Sequence, residues 1–247
     1  MRLFCLPHAG GSAVRLVRVL APRLAEVGVE AVPVELPGRG GRWREPAYGG
    51  WAHAVRDLAD RVADALDDRP YALFGHSVGA LLAYEVAQRL RDRGLRDPAL
   101  LVVAARNPPH LPPSAVSVAA EEQSDEDLFG SLVALGGASP RAAGPLTYQA
   151  FLPALRDDLA LARRYLPRLD RPPLDCRLIA LSGRDDPLTS PAAMTQWARC
   201  GTGAELHTVP GGHFFVLDQR HGAAEVAGII CRSARSTTAG LPGLGAA

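Results

Sequence analysis

The chain has 247 residues, 47% of them hydrophobic and 21% charged, with 27 basic side chains against 26 acidic ones. This suits one large α/β domain or two small ones, and a net charge of +1 leaves no excess for a polyanion such as nucleic acid. None of the basic residues is lysine, which excludes Schiff-base and pyridoxal-lysine chemistry, the P-loop lysine and Ser–Lys dyads.

In chain order, short apolar runs alternate with longer segments of helical periodicity. That alternation predicts a mostly parallel sheet with helices on both faces. Residues 3–6 read as a strand. Residues 14–27 read as a helix, with Leu16, Val19, Leu20, Leu24 and Val27 at helical spacing. A strand at 31–36 follows, then a helix at 52–66 that turns Val55, Leu58, Val62 and Leu66 inward. A strand at 71–74, a helix from 78 to about 93 and a strand at 100–104 come next. The rhythm then breaks at Asn107-Pro-Pro-His-Leu-Pro-Pro113, where four prolines remove donors and fix φ. Ser124 followed by Asp125, Glu126 and Asp127 marks a helix start, its acids suited to the positive end of the dipole. Leu128, Phe129, Leu132 and Leu135 supply that helix's apolar side, and a second helical stretch covers 148–165. The sheet rhythm resumes at 176–181. A helix at 191–198 has Ser190 as cap and Pro191 at its first position. A strand at 205–209 and a last helix near 222–230 complete the pattern. One domain is therefore expected over 1–232, with 107–168 as a helical insertion and 233–247 as a mobile tail rich in Gly, Ser and Ala.

Cys5, Cys176, Cys200 and Cys231 are far apart with no C-x-x-C, and read as reduced structural residues rather than metal ligands or disulfides. The apolar run of residues 1–7 is too short for a signal-peptide core. No apolar stretch approaches the ~18 residues of a membrane span. A cytoplasmic protein is expected.

Gly75-His76-Ser77-Val78-Gly79 matches G-x-S-x-G and lies between a predicted strand and a predicted helix, the context of a nucleophile elbow. Gly75, Gly79 and Ala80 are small enough for strand and helix to approach closely. A serine hydroxyl needs a base. Of seven histidines, His213 follows a strand on a Gly211-Gly212 loop late in the chain, where the base of this arrangement arrives. His76 is inside the elbow and is expected to point away from the reacting centre. His8, His53, His110, His207 and His221 lie on other predicted loops, strands or helix ends. An acid should follow a strand between Ser77 and His213. Asp185 and Asp186 both do, and Asp186 is favoured because Pro187 biases it to an extended backbone. Asp158 and Asp218 read instead as a helix-surface residue and a cap. Pro7-His8-Ala9-Gly10-Gly11 follows the first strand, and the main-chain amides of Ala9 and Val78 are the expected oxyanion donors. Arg39, Arg42 and Arg44 beside Trp43 are candidates for docking an acidic partner, or else a solvated loop.

These segments resemble the α/β-hydrolases, and more closely the stand-alone type II thioesterases of polyketide and nonribosomal-peptide pathways. The matching residues are Pro7-His8-Ala9-Gly10-Gly11, Leu36-Pro37-Gly38-Arg39-Gly40, Gly75-His76-Ser77-Val78-Gly79-Ala80, Gly183-Arg184-Asp185-Asp186-Pro187 and Pro210-Gly211-Gly212-His213-Phe214-Phe215. The resemblance implies an α/β-hydrolase fold. It implies Ser77 as nucleophile, Asp186 and His213 as its partners, and Ala9 and Val78 as oxyanion amides. The implied substrate is an acyl chain thioesterified to the phosphopantetheine arm of an acyl or peptidyl carrier protein. The enzyme would carry no cofactor or metal of its own and act as a monomer, with 107–168 as a lid over the acyl pocket. Val78 stands where methionine is commoner, and Ala105-Arg106-Asn107-Pro108-Pro109 departs from the usual S-G-R-x-A-P run. Both border the expected pocket and bear on acyl preference. Carboxylesterases, acyl-CoA thioesterases, acyl transferases and non-catalytic receptors on the same fold are the alternatives.

Overall fold

The computed structural model describes residues 1–112 and 123–239. Six strands form one sheet in the order β2-β1-β3-β4-β5-β6, every neighbouring pair parallel. They are β1 (Arg2–Leu6), β2 (Glu30–Pro33), β3 (Tyr71–His76), β4 (Leu100–Ala104), β5 (Arg177–Gly183) and β6 (Ala204–Val209). The helices are α1 (Ala13–Ala25), α2 (Trp51–Asp64), α3 (Val78–Asp92), α4 (Asp125–Ala134), α5 (Pro145–Arg163), the short α6 (Pro191–Met194) and α7 (Gly222–Ala239).

Strand side chains alternate between two cores, as the pleat requires. Leu3, Cys5, Ala72, Phe74, Leu100 and Val102 face one side, where Leu16, Leu20 and Leu24 of α1 and Val226, Ile229 and Ile230 of α7 cover them. Phe4, Leu6, Leu73, Leu101 and Val103 face the other, beneath Leu58 and Val62 of α2, Leu81 of α3, and the α4 and α5 leucines. The central strands are buried on both faces, so they read in sequence as unbroken apolar runs rather than alternating ones.

The described part of the insertion between β4 and β5 carries helices α4 and α5, and residues 107–112 are neither strand nor helix, as the prolines predict. Ser124 caps α4, its Oγ accepting from the Asp127 N–H at 3.1 Å, with Asp125, Glu126 and Asp127 in the first turn as the sequence predicts. Glu121 and Glu122, ahead of that cap, lie outside the described residues. The end of the chain differs from expectation. The last helix does not stop near 230 but continues to Ala239, through the start of the expected tail, because Ser233 and Ala234 still face the α1 side and are buried. The predicted helix at 191–198 is instead α6 followed by a 3-10 turn at Thr195–Arg199. All four cysteines are buried free thiols. Among the described residues no helix is long and apolar enough to cross a membrane.

Candidate active site

The site lies at the carboxyl ends of the strands, where an open parallel sheet presents its loops. Ser77 joins β3 to α3 with φ 57° and ψ −120°, a left-handed backbone that a side-chain-bearing residue enters only under strain. The turn is held by the Ser77 N–H donating to Ala104 O at 2.8 Å and the Ala80 N–H to Ser77 O at 2.9 Å. Its glycines are forced by contact. A Cβ at Gly75 would stand 2.1 Å from Gly79 O, and one at Gly79 would stand 2.5 Å from both Leu6 O and Pro7 O. Helix α3 and β1 therefore close on the elbow at backbone distance.

His213 arrives after β6 on the loop that Gly211 (φ 111°) opens. Its Nε2 lies 3.1 Å from Ser77 Oγ, and its Nδ1 lies 3.0 and 3.1 Å from the two Asp186 oxygens. Asp186 also accepts from the Leu188 N–H at 2.9 Å and the Thr189 hydroxyl at 2.8 Å. Burial works against its charge, yet the His213 bond and these two donors outweigh it and hold the carboxyl below its ordinary range. An ionised carboxylate only accepts, so Nδ1 carries the imidazole proton and Nε2 is left to accept from the serine hydroxyl. Asp185 is exposed, and its N–H ties to Gly211 O at 2.9 Å. Of the two neighbouring acids, the fold turns only Asp186 toward the imidazole.

His76 does more than point away. Its Nε2–H donates to His213 O at 2.8 Å, so the elbow directly supports the loop carrying the imidazole. Burial, reinforced by nearby His213, lowers the His76 pKa to about 3 and keeps the ring neutral. His8 packs edge-on against His76 and Phe214, with centroids 5.2 and 4.9 Å away. Burial likewise drives its pKa well below the ordinary value. The His8 ring occupies the space a side chain at Gly11 would need, with a Cβ there 2.5 Å from the ring.

The Ala9 and Val78 amides bond to no acceptor among the described residues, and both residues line a cavity of about 150 Å³ together with Ser77 and His213. Leu128, Leu132 and Leu135 from the α4 side and Leu155, Leu159 and Ala162 of α5 wall that cavity. The inserted helices thus sit over the serine.

Two expectations are corrected here. Asp158 is not a helix-surface residue. Its carboxylate accepts from Arg39 at 2.6 and 2.9 Å and from the Gly10 N–H at 2.8 Å, buried beneath α5. The signal was in the spacing: Asp158 shares the helix face of Leu155, Leu159 and Ala162, an acid inside an apolar stripe. Arg39 and Arg42 are consequently not docking residues. Arg39 is engaged by Asp158, while Arg42 is buried and bonded to Glu45 at 2.9 Å and Asp57 at 3.0 Å. Only Arg44 of the three is exposed, stacked 4.4 Å over the exposed Trp43 ring.

A family model described as "Thioesterase domain" matches residues 1–233. The chain is 35% identical over 230 residues to thioesterase PikA5 of Streptomyces venezuelae, covering 90% of this chain and 77% of the relative. Among solved structures, RedJ, the thioesterase of the prodiginine pathway in Streptomyces coelicolor, matches with a TM-score of 0.81. Its identity is 39%, over 94% of this chain and 90% of RedJ. BorB, a type II thioesterase from the borrelidin biosynthetic cluster, matches with a TM-score of 0.79 and 33% identity, over 94% and 91% of the two chains. The chain belongs to the thioesterase family on an α/β-hydrolase fold and is a hydrolase acting on thioesters, with relatives in polyketide and nonribosomal-peptide biosynthesis.

Proposed function

We propose that this thioesterase clears acyl groups from the phosphopantetheine arm of carrier proteins, editing stalled or wrongly loaded synthases, with Ser77 as nucleophile. One observation carries the reading: Ser77 and His213, hydrogen-bonded to each other and backed by Asp186, line a largely apolar cavity under inserted helices.

His213 Nε2 takes the Ser77 proton as Oγ attacks the thioester carbonyl. Charge develops on the carbonyl oxygen, and the Ala9 and Val78 amides stabilise it. Asp186 stabilises the imidazolium that forms. Collapse breaks the C–S bond, and His213 protonates the departing pantetheine thiolate. Water, deprotonated by the same imidazole, then attacks the Ser77 ester and releases the free acid, returning the proton to Ser77. Each step uses this chain's residues and the substrate, so no cofactor is required. The leucines of α4 and α5 exclude water from the acyl chain.

The test is mass spectrometry of an acylated carrier domain before and after incubation. The wild-type protein should return the carrier to its free thiol. Ser77→Ala should lose at least ~10³-fold in turnover, by analogy with triad deletions elsewhere. Undiminished release by Ser77→Ala overturns the nucleophile assignment. Faster turnover of acyl-CoA or simple esters than of the acylated carrier overturns the substrate assignment.

A further inference from the structure

Arg106 stands two residues beyond β4, on the strand next to the one carrying the nucleophile. The Ser77 N–H is bonded to Ala104 O at 2.8 Å, and Ala105, at φ 54°, turns the chain out of the sheet. The Arg106 backbone is fixed, since the indole Nε1–H of buried Trp197 donates to its carbonyl at 2.7 Å. Its side chain lines the same cavity as Ser77 and His213.

Other well-buried arginines of the chain each meet a carboxylate: Arg39 meets Asp158, Arg42 meets Asp57, and Arg171 meets Glu85 at 2.9 Å. Arg106 does not. Among the described residues its guanidinium makes no hydrogen bond and no ion pair, and the ionisable group acting on it is the Tyr165 phenol. Burial lowers its pKa accordingly. Guanidinium groups stay charged at any working pH, so among the described residues this cation stands uncompensated against the cavity. Such a group is costly unless something supplies the missing anion, and the cavity is the side from which it can come. The surrounding wall adds Gln123 and Ser131, which bond each other at 3.2 Å and also line the cavity. The remaining wall is largely leucine, which suits methylenes, and the exposed, already engaged Arg163 also lines it.

We infer that Arg106 is a specificity residue that receives the far carboxylate of an acyl group derived from a dicarboxylic acid, held as its half-thioester. The planar fork of arginine fits a carboxylate through two parallel bonds. The phosphate of the pantetheine arm fits less well. It remains on the carrier, a full arm's length from the sulfur, whereas Arg106 lines the same cavity as Ser77 and His213. This inference rests on the reading of Ser77 as the nucleophile.

The experiment compares N-acetylcysteamine thioesters of glutarate and of 5-methylhexanoate, its uncharged shape match. In the wild-type protein kcat/KM should be higher for glutaryl. The glutaryl-to-methylhexanoyl ratio should fall at least ~10-fold in Arg106→Gln and recover most of the way in Arg106→Lys. A wild-type preference for the neutral ester overturns the inference, as does a ratio unchanged by Arg106→Gln. So does an Arg106→Gln penalty that appears only when the same acyl groups are presented on 4′-phosphopantetheine in place of N-acetylcysteamine. Those outcomes leave thioester hydrolysis itself standing. Failure of the wild-type protein to hydrolyse either ester, or any acylated carrier, instead sinks the proposed function.

Discussion

Asp158→Asn separates what holds the inserted helices in place from what performs the chemistry. Asp158 Oδ2 accepts from Arg39 Nη1 at 2.6 Å and from the Gly10 N–H at 2.8 Å, and Oδ1 accepts from Arg39 Nη2 at 2.9 Å. The two side chains are 10% and 6% exposed, so the pair is desolvated. Asparagine keeps the shape, removes the charge and turns one acceptor into a donor facing another donor. Removing one partner from a buried pair costs about 3–5 kcal/mol, and the surviving amide oxygen places this change near ~3 kcal/mol. The activity cost follows from Gly10. It directly succeeds Ala9, and a Cβ there would lie 3.0 Å from Leu155 and Phe151, so the loop carrying the proposed oxyanion amide rests against α5. Loss of an oxyanion donor costs about 10²–10³-fold, and its displacement should lower kcat roughly 10–100-fold. Urea denaturation and steady-state kinetics on an acyl thioester measure the two effects. Arg39→Met with Asp158→Leu should recover most of the stability, because apolar replacement of a buried pair is close to neutral. It should not recover kcat, since the Gly10 N–H has lost its acceptor. Asp158→Asn within ~0.5 kcal/mol and twofold in kcat of wild type would refute the reasoning.

Asp186→Asn should lower kcat at least ~10³-fold by losing the tautomer control on His213, whereas exposed Asp185→Asn should stay within about threefold. Equal effects of the two changes would reject the assignment. Gly79→Ala should destabilise by at least ~3 kcal/mol, because the added Cβ meets main-chain oxygens 2.5 Å away rather than a side chain that can yield. A soluble variant with the wild-type melting temperature would contradict that packing. His8 and His76 are buried and neutral, with folded-state pKa values pushed down, that of His76 to about 3. Below about pH 6.5 the unfolded chain takes up protons that the folded chain refuses, so stability is full above that pH and falls beneath it. His76 alone accounts for about 1.4 kcal/mol between pH 7.5 and 5.5, and His8 acts in the same direction. Asp186, with its depressed pKa, adds nothing in that window, as its contribution is lost only below the carboxylate range. Matching urea midpoints at the two pH values would show the histidines are not held neutral.

Much of this protein is written in short-range pattern. Short apolar runs located all six strands and period-3.6 spacing most helices, because burial against a sheet is decided residue by residue along one segment. The elbow was legible for the same reason: Gly75, Ser77 and Gly79 act within five residues, and their neighbours decide whether the turn closes. Asp186 and His213 were legible because chain order and strand ends limit where such groups can stand. Asp158 misled because its partners are not local. Arg39 lies 119 residues away and Gly10 148 residues away, so a carboxylate on an amphipathic helix looked solvated. The same limit hid the isolation of Arg106 among the described residues, since whether an arginine finds a partner depends on what folds around it. The end of α7 went the same way, its low-complexity sequence ordered only through packing on α1. Local sequence decided the elements and the chemistry they could carry, because sterics and hydrophobic periodicity act over a few residues. Tertiary structure decided which charges are paired and which is left facing the cavity, because desolvation depends on atoms that only the finished fold brings together.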